Sequence, residues 1–433
     1  MRIVHLIPGS GGTFYCENCL RDAALVQALR ALGHDVVMVP LYLPMFVDTP
    51  DLPGDVPVFF GGINVYLQQQ FSLFRKTPRW LDRFFDMPWM LKQAAAREGS
   101  TSAADLGPMT LSMLQGRDGR QQKELARLIT WLRDHERPDL VHISNALLLG
   151  LAPELKKVLG VPVLCSLQDE DTWLDAMSEP HATACWEAMG DAAQHVDAFV
   201  SVSEWYAGQM CARMGLRSEQ IFVIPLGITI EGDAHTAVEH RPPVLGYLTR
   251  LCETQGLGRL ADAFVHLKET PELRDLCLRA TGGITPADET FLKGLWAKFG
   301  RSGVESDVEF VEDFQKKARH EFLKSLSVLS VPVPKGEAFG TFILEALAQG
   351  VPVVQPAVGA FPEVIEATGG GLIYDPEEEG ALEKALSELL LDPARAHDLG
   401  QRGQAAVRAN FTIDGMAAKL LDLYHRIASE NVS

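Results

Sequence analysis

The chain has no apolar run approaching roughly 18 residues, so no membrane-crossing helix is expected. Basic residues are scarce: 39 Lys and Arg against 57 Asp and Glu leave a formal net charge of −18. A surface of that sign repels nucleic acid and anionic lipid, and neither is expected as a main partner. Cysteine is sparse and odd in number, with seven residues at Cys16, Cys19, Cys165, Cys185, Cys211, Cys252 and Cys277. Cys16 and Cys19 form a lone Cys-x-x-Cys at a helix start, where a thiolate is favoured. No second Cys or His pair stands at zinc spacing, so no bound metal is expected; a redox pair and ordinary thiols both stay open. The opening MRIVHLIPGSGG turns glycine-rich after one short apolar run, too soon for a signal peptide. Reduced thiols in a cytoplasm are the expected state.

What remains is 433 residues, 47% hydrophobic and 22% charged, enough for two or three soluble domains. RIVHLI, a glycine turn, a helical CLRDAALVQALRALGH and DVVMVP read as a strand–helix–strand unit. Further strands are expected at DLVHIS, VPVLCSL, AFVSVS and IFVIPLG, apolar throughout as buried parallel strands are. An aromatic-rich stretch at about 45–125 interrupts this rhythm and reads as an insertion. It is expected to be helical, with either a small core of its own or a substrate lid. Polar, proline-ended 228–243 reads as a linker between a first domain at 1–227 and a second at 244–408. A final helix is expected within 409–433. His5, His34 and His142 flank strands and read as loop or core histidines.

Ligands of open parallel sheets collect where strand ends lead into helix starts. Two such loops lack bulky side chains: Gly9-Ser10-Gly11-Gly12, and Gly336-Glu337-Ala338-Phe339-Gly340 before a helix starting at Thr341. Their amides and the helix dipole suit phosphate oxygens, although a tight turn alone would also need glycine. The first loop fails the dinucleotide fingerprint, because Phe14 stands at its third glycine position. Glu345 is more informative. It is the one charged residue between Thr341 and Ala348, eight positions after Glu337. It is no capping-box residue, since the third position after Thr341 is Leu344. A carboxylate there needs hydrogen-bond donors; ribose hydroxyls, a salt bridge and partial exposure all stay open.

The run GEAFGTFILEALAQGVPVV resembles the signature of the retaining glycosyltransferases of family 4, in which two glutamates are separated by seven residues. AFPEVI, GGGLIYDPEE and the early GSGG fit the same pattern. The resemblance implies an α/β GT-B fold of two Rossmann-like, doubly wound domains facing a central cleft. It implies a final helix that crosses back to the first domain. It also implies transfer of a sugar from a nucleoside diphosphate sugar to an unidentified acceptor, with retention of configuration and no bound metal or other cofactor. Residue by residue, Glu345 would hold the ribose hydroxyls and Glu337 would face the sugar. Ala338, Phe339, Gly340 and Thr341 would offer main chain to sugar and diphosphate, with Gly11 and Gly12 assisting.

Two positions near the expected reaction centre depart from the family, as does LGIT at Leu226 to Thr229, where Asn-Gly-Val-Asp is often seen before the linker. Arg250 stands where a cation meets the leaving diphosphate, but Gln255 replaces the lysine expected five residues later. In the first domain Gln168, followed by Asp169, stands where a histidine is usual. The run Asp169-Glu170-Asp171 reads as a solvated strand-end loop or as an acceptor-hydroxyl site rather than as a metal site. Lys335 and Arg259 are the basic residues that could stand in for the missing lysine. A nucleotide- or glycan-binding protein on a degenerate scaffold is the alternative these departures leave open; a nucleotide-sugar epimerase would need an acid/base set that is not identifiable.

Overall fold

The computed structural model describes residues 1–9, 17–42, 59–60, 103–230 and 242–430. The chain divides into two compact units: the first takes residues up to Pro225 and returns at Ile413, and the second runs from Leu226 to Thr412. Each is built on six parallel strands.

In the first unit β1 (Arg2–Ile7), β2 (Asp35–Pro40), β3 (Leu140–Ile143), β4 (Val163–Leu167), β5 (Ala198–Ser201) and β6 (Ile221–Val223) lie in the order β2-β1-β3-β4-β5-β6. Their apolar runs are covered on both faces, as in a sheet wrapped by helices, and β3, β4 and β5 are buried along their whole length. His5 and His142 lie inside this core with their rings edge to face. The chain returns to it at the end. Helix Ile413–Glu430 carries Met416, Leu420, Leu423 and Ile427 on one buried stripe, the spacing of an amphipathic helix. It packs on helix Glu17–Ala31, and its Tyr424 hydroxyl bonds His142 Nδ1. Residues 409 and 410 belong instead to the preceding helix, Pro393–Asn410.

The second unit repeats the plan with β7 (Val244–Leu248), β8 (Cys277–Thr281), β9 (Val308–Val311), β10 (Val328–Leu329), β11 (Val353–Pro356) and β12 (Gly371–Tyr374). The order is β12-β11-β10-β7-β8-β9. The chain runs outward one way through β8 and β9, then the other way through β10, β11 and β12. The switch point therefore falls between β7 and β10, and in the first sheet between β1 and β3. The loops at such points are where ligands of open sheets bind.

The linker expected at 228–243 is described only at its ends. Ile228 bridges Thr412 in parallel, and its amide donates to the Phe411 carbonyl at 2.9 Å. Of the aromatic insertion, Phe59 and Phe60 are buried, Phe59 against Trp131 and Phe60 against Tyr42. Its end forms helices Ala103–Leu114 and Gln122–Trp131. Its residues 45–58 and 61–102, with Gly11, Gly12 and Cys16, lie outside the described residues.

Candidate active site

Two loops of the second unit meet at its switch point. The loop after β7 carries Arg250 and Gln255; the loop after β10 carries Glu337 to Gly340 and runs into helix Thr341–Ala348. Gly256 has φ of +81°, and a Cβ there would land on the Pro332 carbonyl, so the two loops touch backbone to backbone. At Gly336, φ of +74°, a Cβ would lie 2.5 Å from the Gly359 amide nitrogen of the loop after β11. Only glycine permits that approach. The Glu337 carbonyl then accepts the Ala360 amide at 3.1 Å.

Arg250 is held in a fork. Its Nε and Nη2 donate to the two oxygens of Asp288 at 2.8 Å each, and Nη2 also reaches Thr285 Oγ1 at 2.8 Å. Asp288 is itself fixed by a capping box, accepting from the amide and hydroxyl of Thr285. Burial opposes the Asp288 charge, yet these bonds hold its carboxyl below the usual carboxylate range. The Tyr247 hydroxyl donates to the carbonyls of Arg250 (3.1 Å) and Gln255 (3.2 Å) and so shapes the turn between them. Burial pushes the Tyr247 phenol up, with the charges of Cys252, Glu337 and Asp288 adding to it. Glu337 thus lies within electrostatic reach of the β7 end. Gln255 keeps its Oε1 buried and without a hydrogen-bond partner. Lys335 and Arg259 are both exposed.

The carboxylate in the apolar helix has a protein partner. Arg319, from helix Lys316–Lys324, places Nε 2.9 Å from Glu345 Oε2, with the two side chains 6% and 12% exposed. Arg319 Nη1 also donates to the Phe314 carbonyl at 2.9 Å. The salt bridge left open by the sequence is therefore present, and Glu345 keeps only a small exposed fraction for any ligand. Ala338, Phe339 and Thr341 pack their side chains inward, so what they can offer is main chain.

In the first unit Gln168 and Asp169 end β4. Gln168 is buried; its Nε2 donates to the Ser144 carbonyl, and its Oε1 has no hydrogen-bond partner. Asp169 adopts φ of +56°, the left-handed region, uncommon for a residue with a side chain. The acidic run after β4 is not a wholly solvated loop: Glu170 is 1% exposed. Its oxygens accept from the amides of Ala146 and Gln168 and from the Tyr206 hydroxyl. Burial drives its carboxyl up to about 7.

The structure thus groups Arg250, Gln255, Glu337, Ala338, Phe339, Gly340, Thr341 and Glu345 at the carboxyl edge of the second sheet. Gln168 and Asp169 sit at that of the first. Sequence reasoning missed Asp288, Arg319, Tyr247 and the burial of Glu170. The Thr-Pro-Ala-Asp capping box was the one visible signal among them. Among the described residues no group of three or more His, Cys, Asp or Glu could hold a metal ion, and no helix is long and apolar enough to cross a membrane.

Two doubly wound parallel sheets, the second with glycine-tightened loops at its switch point, define a two-domain α/β scaffold of the GT-B kind. Sucrose-phosphate synthase from Thermosynechococcus elongatus shares this fold, with a TM-score of 0.72 over 99% of this chain and 100% of that one, at 18% identity. HepE from Anabaena, solved in complex with UDP, gives 0.66 over 98% and 100% at 16% identity. Residues 231–406 match the family of glycosyl transferases group 1, and 23–227 match the glycosyl transferase 4-like domain. The chain belongs to this family of glycosyltransferases. A D-inositol 3-phosphate glycosyltransferase of Xylanimonas cellulosilytica is 28% identical over 243 residues, 53% of this chain and 56% of that relative. An MMP alpha-(1->4)-mannosyltransferase of Mycolicibacterium hassiacum is 24% identical over 66% of this chain and 70% of its own length. The chain thus spans little more than half the length of the first of these relatives.

Proposed function

We propose that the protein transfers a hexosyl group from a nucleoside diphosphate sugar to an acceptor, with retention of configuration. The observation that carries this reading is the joined pair of loops at the β7/β10 switch point. They bring an arginine, a main-chain turn entering a helix, and the carboxylates Glu337 and Glu345 to one sheet edge. In this reading Glu345, steadied by Arg319, accepts the ribose hydroxyls with its exposed edge. Main chain from Ala338 to Thr341 meets the diphosphate, and the helix start favours its charge. Glu337 faces the sugar. Gly11 and Gly12 assist from the first unit, where Gln168 and Asp169 contact donor sugar or acceptor.

Arg250 opposes charge growing on the leaving diphosphate, and no metal is needed for that task. The donor phosphate rather than a protein nucleophile takes the acceptor proton, with attack on the face the leaving group departs from. HepE, in complex with UDP-glucose in a further structure, supports UDP-glucose as the first donor to try. Cys165, Cys185, Cys211, Cys252 and Cys277 are free thiols, in keeping with a cytoplasmic location.

Calorimetric titration with UDP, GDP and ADP and their sugar esters tests the reading. One nucleotide should bind and stabilise the protein, since a ligand of the native state raises stability. If none binds, the reading fails. A second reading, a nucleotide-binding protein with little turnover, is favoured by one observation: Asp288 offsets the Arg250 charge, and position 255 holds no cation. Product formation with the bound donor, and the anomeric configuration of that product, separate the two.

A further inference from the structure

Three strand-end loops of the first unit converge on one carboxylate. Glu170 Oε1 accepts the Ala146 amide at 2.8 Å, from the segment after β3. Its Oε2 accepts the Gln168 amide at 2.7 Å, after β4, and the Tyr206 hydroxyl at 2.8 Å, from helix Glu204–Met214 after β5. Those three strands are neighbours in the sheet. Further bonds knit the same place: Gln168 Nε2 to the Ser144 carbonyl, and Asn145 Nδ2 to the Gln168 carbonyl at 3.4 Å. Between Gln168 and Glu170 stands Asp169 in its left-handed conformation. A conformation of that kind persists only where the surroundings impose it, and such residues cluster at working sites.

A carboxylate is a costly choice for a mere tie. Buried charge is disfavoured, and apolar packing would join three loops with less desolvation. Both oxygens accept from backbone amides, which cannot rotate away, so only an acceptor at each position satisfies the loops. We propose that Glu170 is a positioning residue for transfer, gathering the ends of β3, β4 and β5 and so fixing the Gln168–Asp169 turn in the conformation that meets substrate. The proposal rests on the reading of that turn as part of the substrate site.

The charge state of Glu170 then governs the turn. The groups facing it are Asp169 and Asp171 on its own segment, Cys165 on β4 and Tyr206 on the helix after β5. Arg213 reaches Asp171 and Tyr206 by charge. Burial resists ionisation of Glu170, while the three donors favour it; Cys165 and Tyr206 are themselves pushed well up and stay neutral. With the carboxyl at about 7, ionisation completes the acceptor set as pH rises through neutrality.

The test compares the full chain with E170Q, using UDP-glucose as the donor probe and following UDP release across the neutral range. Amide exchange at Ala146 and Gln168 is followed in parallel. The amide of glutamine turns an N–H donor toward one of the two backbone amides in either orientation. Exchange at one of them should therefore quicken. Wild-type kcat should rise through a single ionisation near 7; in E170Q it should be flat and about 10²-fold lower, the usual result of a misplaced group. The KM for donor should hold, because none of the residues proposed to meet the nucleotide is among those Glu170 bonds. Y206F removes one donor to the charged form and should move the limb to higher pH; it carries the test if E170Q does not fold. Wild-type kcat, pH profile and exchange in E170Q, or an unmoved limb in Y206F, overturn the proposal alone. A wild-type chain that neither binds UDP nor releases it from UDP-glucose overturns the proposed function and this inference with it.

Discussion

Replacing Arg319 by methionine removes the partner of Glu345 while keeping most of the side-chain volume. The native pair is 2.9 Å apart, with the arginine 6% and the glutamate 12% exposed. Breaking a buried pair from one side costs about 3–5 kcal/mol, because the remaining charge is left uncompensated. Glu345 keeps a little access to water, which places it near the lower figure. Losing the bond to the Phe314 carbonyl adds about 1 kcal/mol. The sum is about 4 kcal/mol, felt in helix Thr341–Ala348. Native-state amide exchange along that helix reads it locally, without assuming that the whole chain unfolds in one step. The double variant R319M/E345L should recover most of the loss, since an apolar pair of similar volume is often neutral or better. UDP affinity should fall in R319M and stay low in the double variant, which has no ribose acceptor. A change in protection of less than about 0.5 kcal/mol in R319M, the size of an ordinary surface change, would mean that the pair does not stabilise the helix. Unchanged UDP affinity in the double variant removes Glu345 from the ribose site and leaves it structural.

Glu170 is raised from 4.5 to about 7, so across that window the folded chain holds a proton the unfolded chain has released. Stability should therefore fall as pH rises through it, by about 3 kcal/mol in all; E170Q should lose that slope in denaturation series at several pH values, and an identical slope refutes the assignment. Arg250→Ala should cut transfer by about 10²–10³, the usual loss of one stabilising donor, while Gln255→Lys should leave it equal or faster. Donor kinetics decide: a dead Gln255→Lys beside an active Arg250→Ala means the diphosphate is not met here. Tyr424→Phe strips buried His142 of the hydroxyl at its Nδ1 and should cost about 1–3 kcal/mol, read as faster exchange in β3 and the final helix.

Strands were legible because buried parallel strands are apolar at every position, as VLCSL of β4 and VVQP of β11 show. Their order was not, since crossover helices of similar length join strands in either direction. Glu345 was conspicuous as a lone charge in an apolar helix. Arg319 was not, because KKARHEFLK is basic throughout and only burial singles out one of its cations. Glu170 failed to stand out for the opposite reason, being one of three consecutive acids. What distinguishes it is a set of backbone donors from segments 24 residues back and 2 residues back, which no residue type announces. Asp288 was within reach: its capping box is local, and only its bond to Arg250, 38 residues away, is not.

The bond between His142 and Tyr424 spans 282 residues. A ribosome adding about 5–20 residues per second needs roughly 15 to 60 seconds to cover that interval. Through that time β3 and the helix Glu17–Ala31 exist without the helix that buries them, while Leu226–Thr412 emerges whole. The second unit therefore has all its chain first, and the first-made unit is the last to close. A stall or cut between the two would leave His142 without Tyr424 and helix Glu17–Ala31 without the helix that packs on it, a surface for chaperones to hold until the final turn of chain arrives.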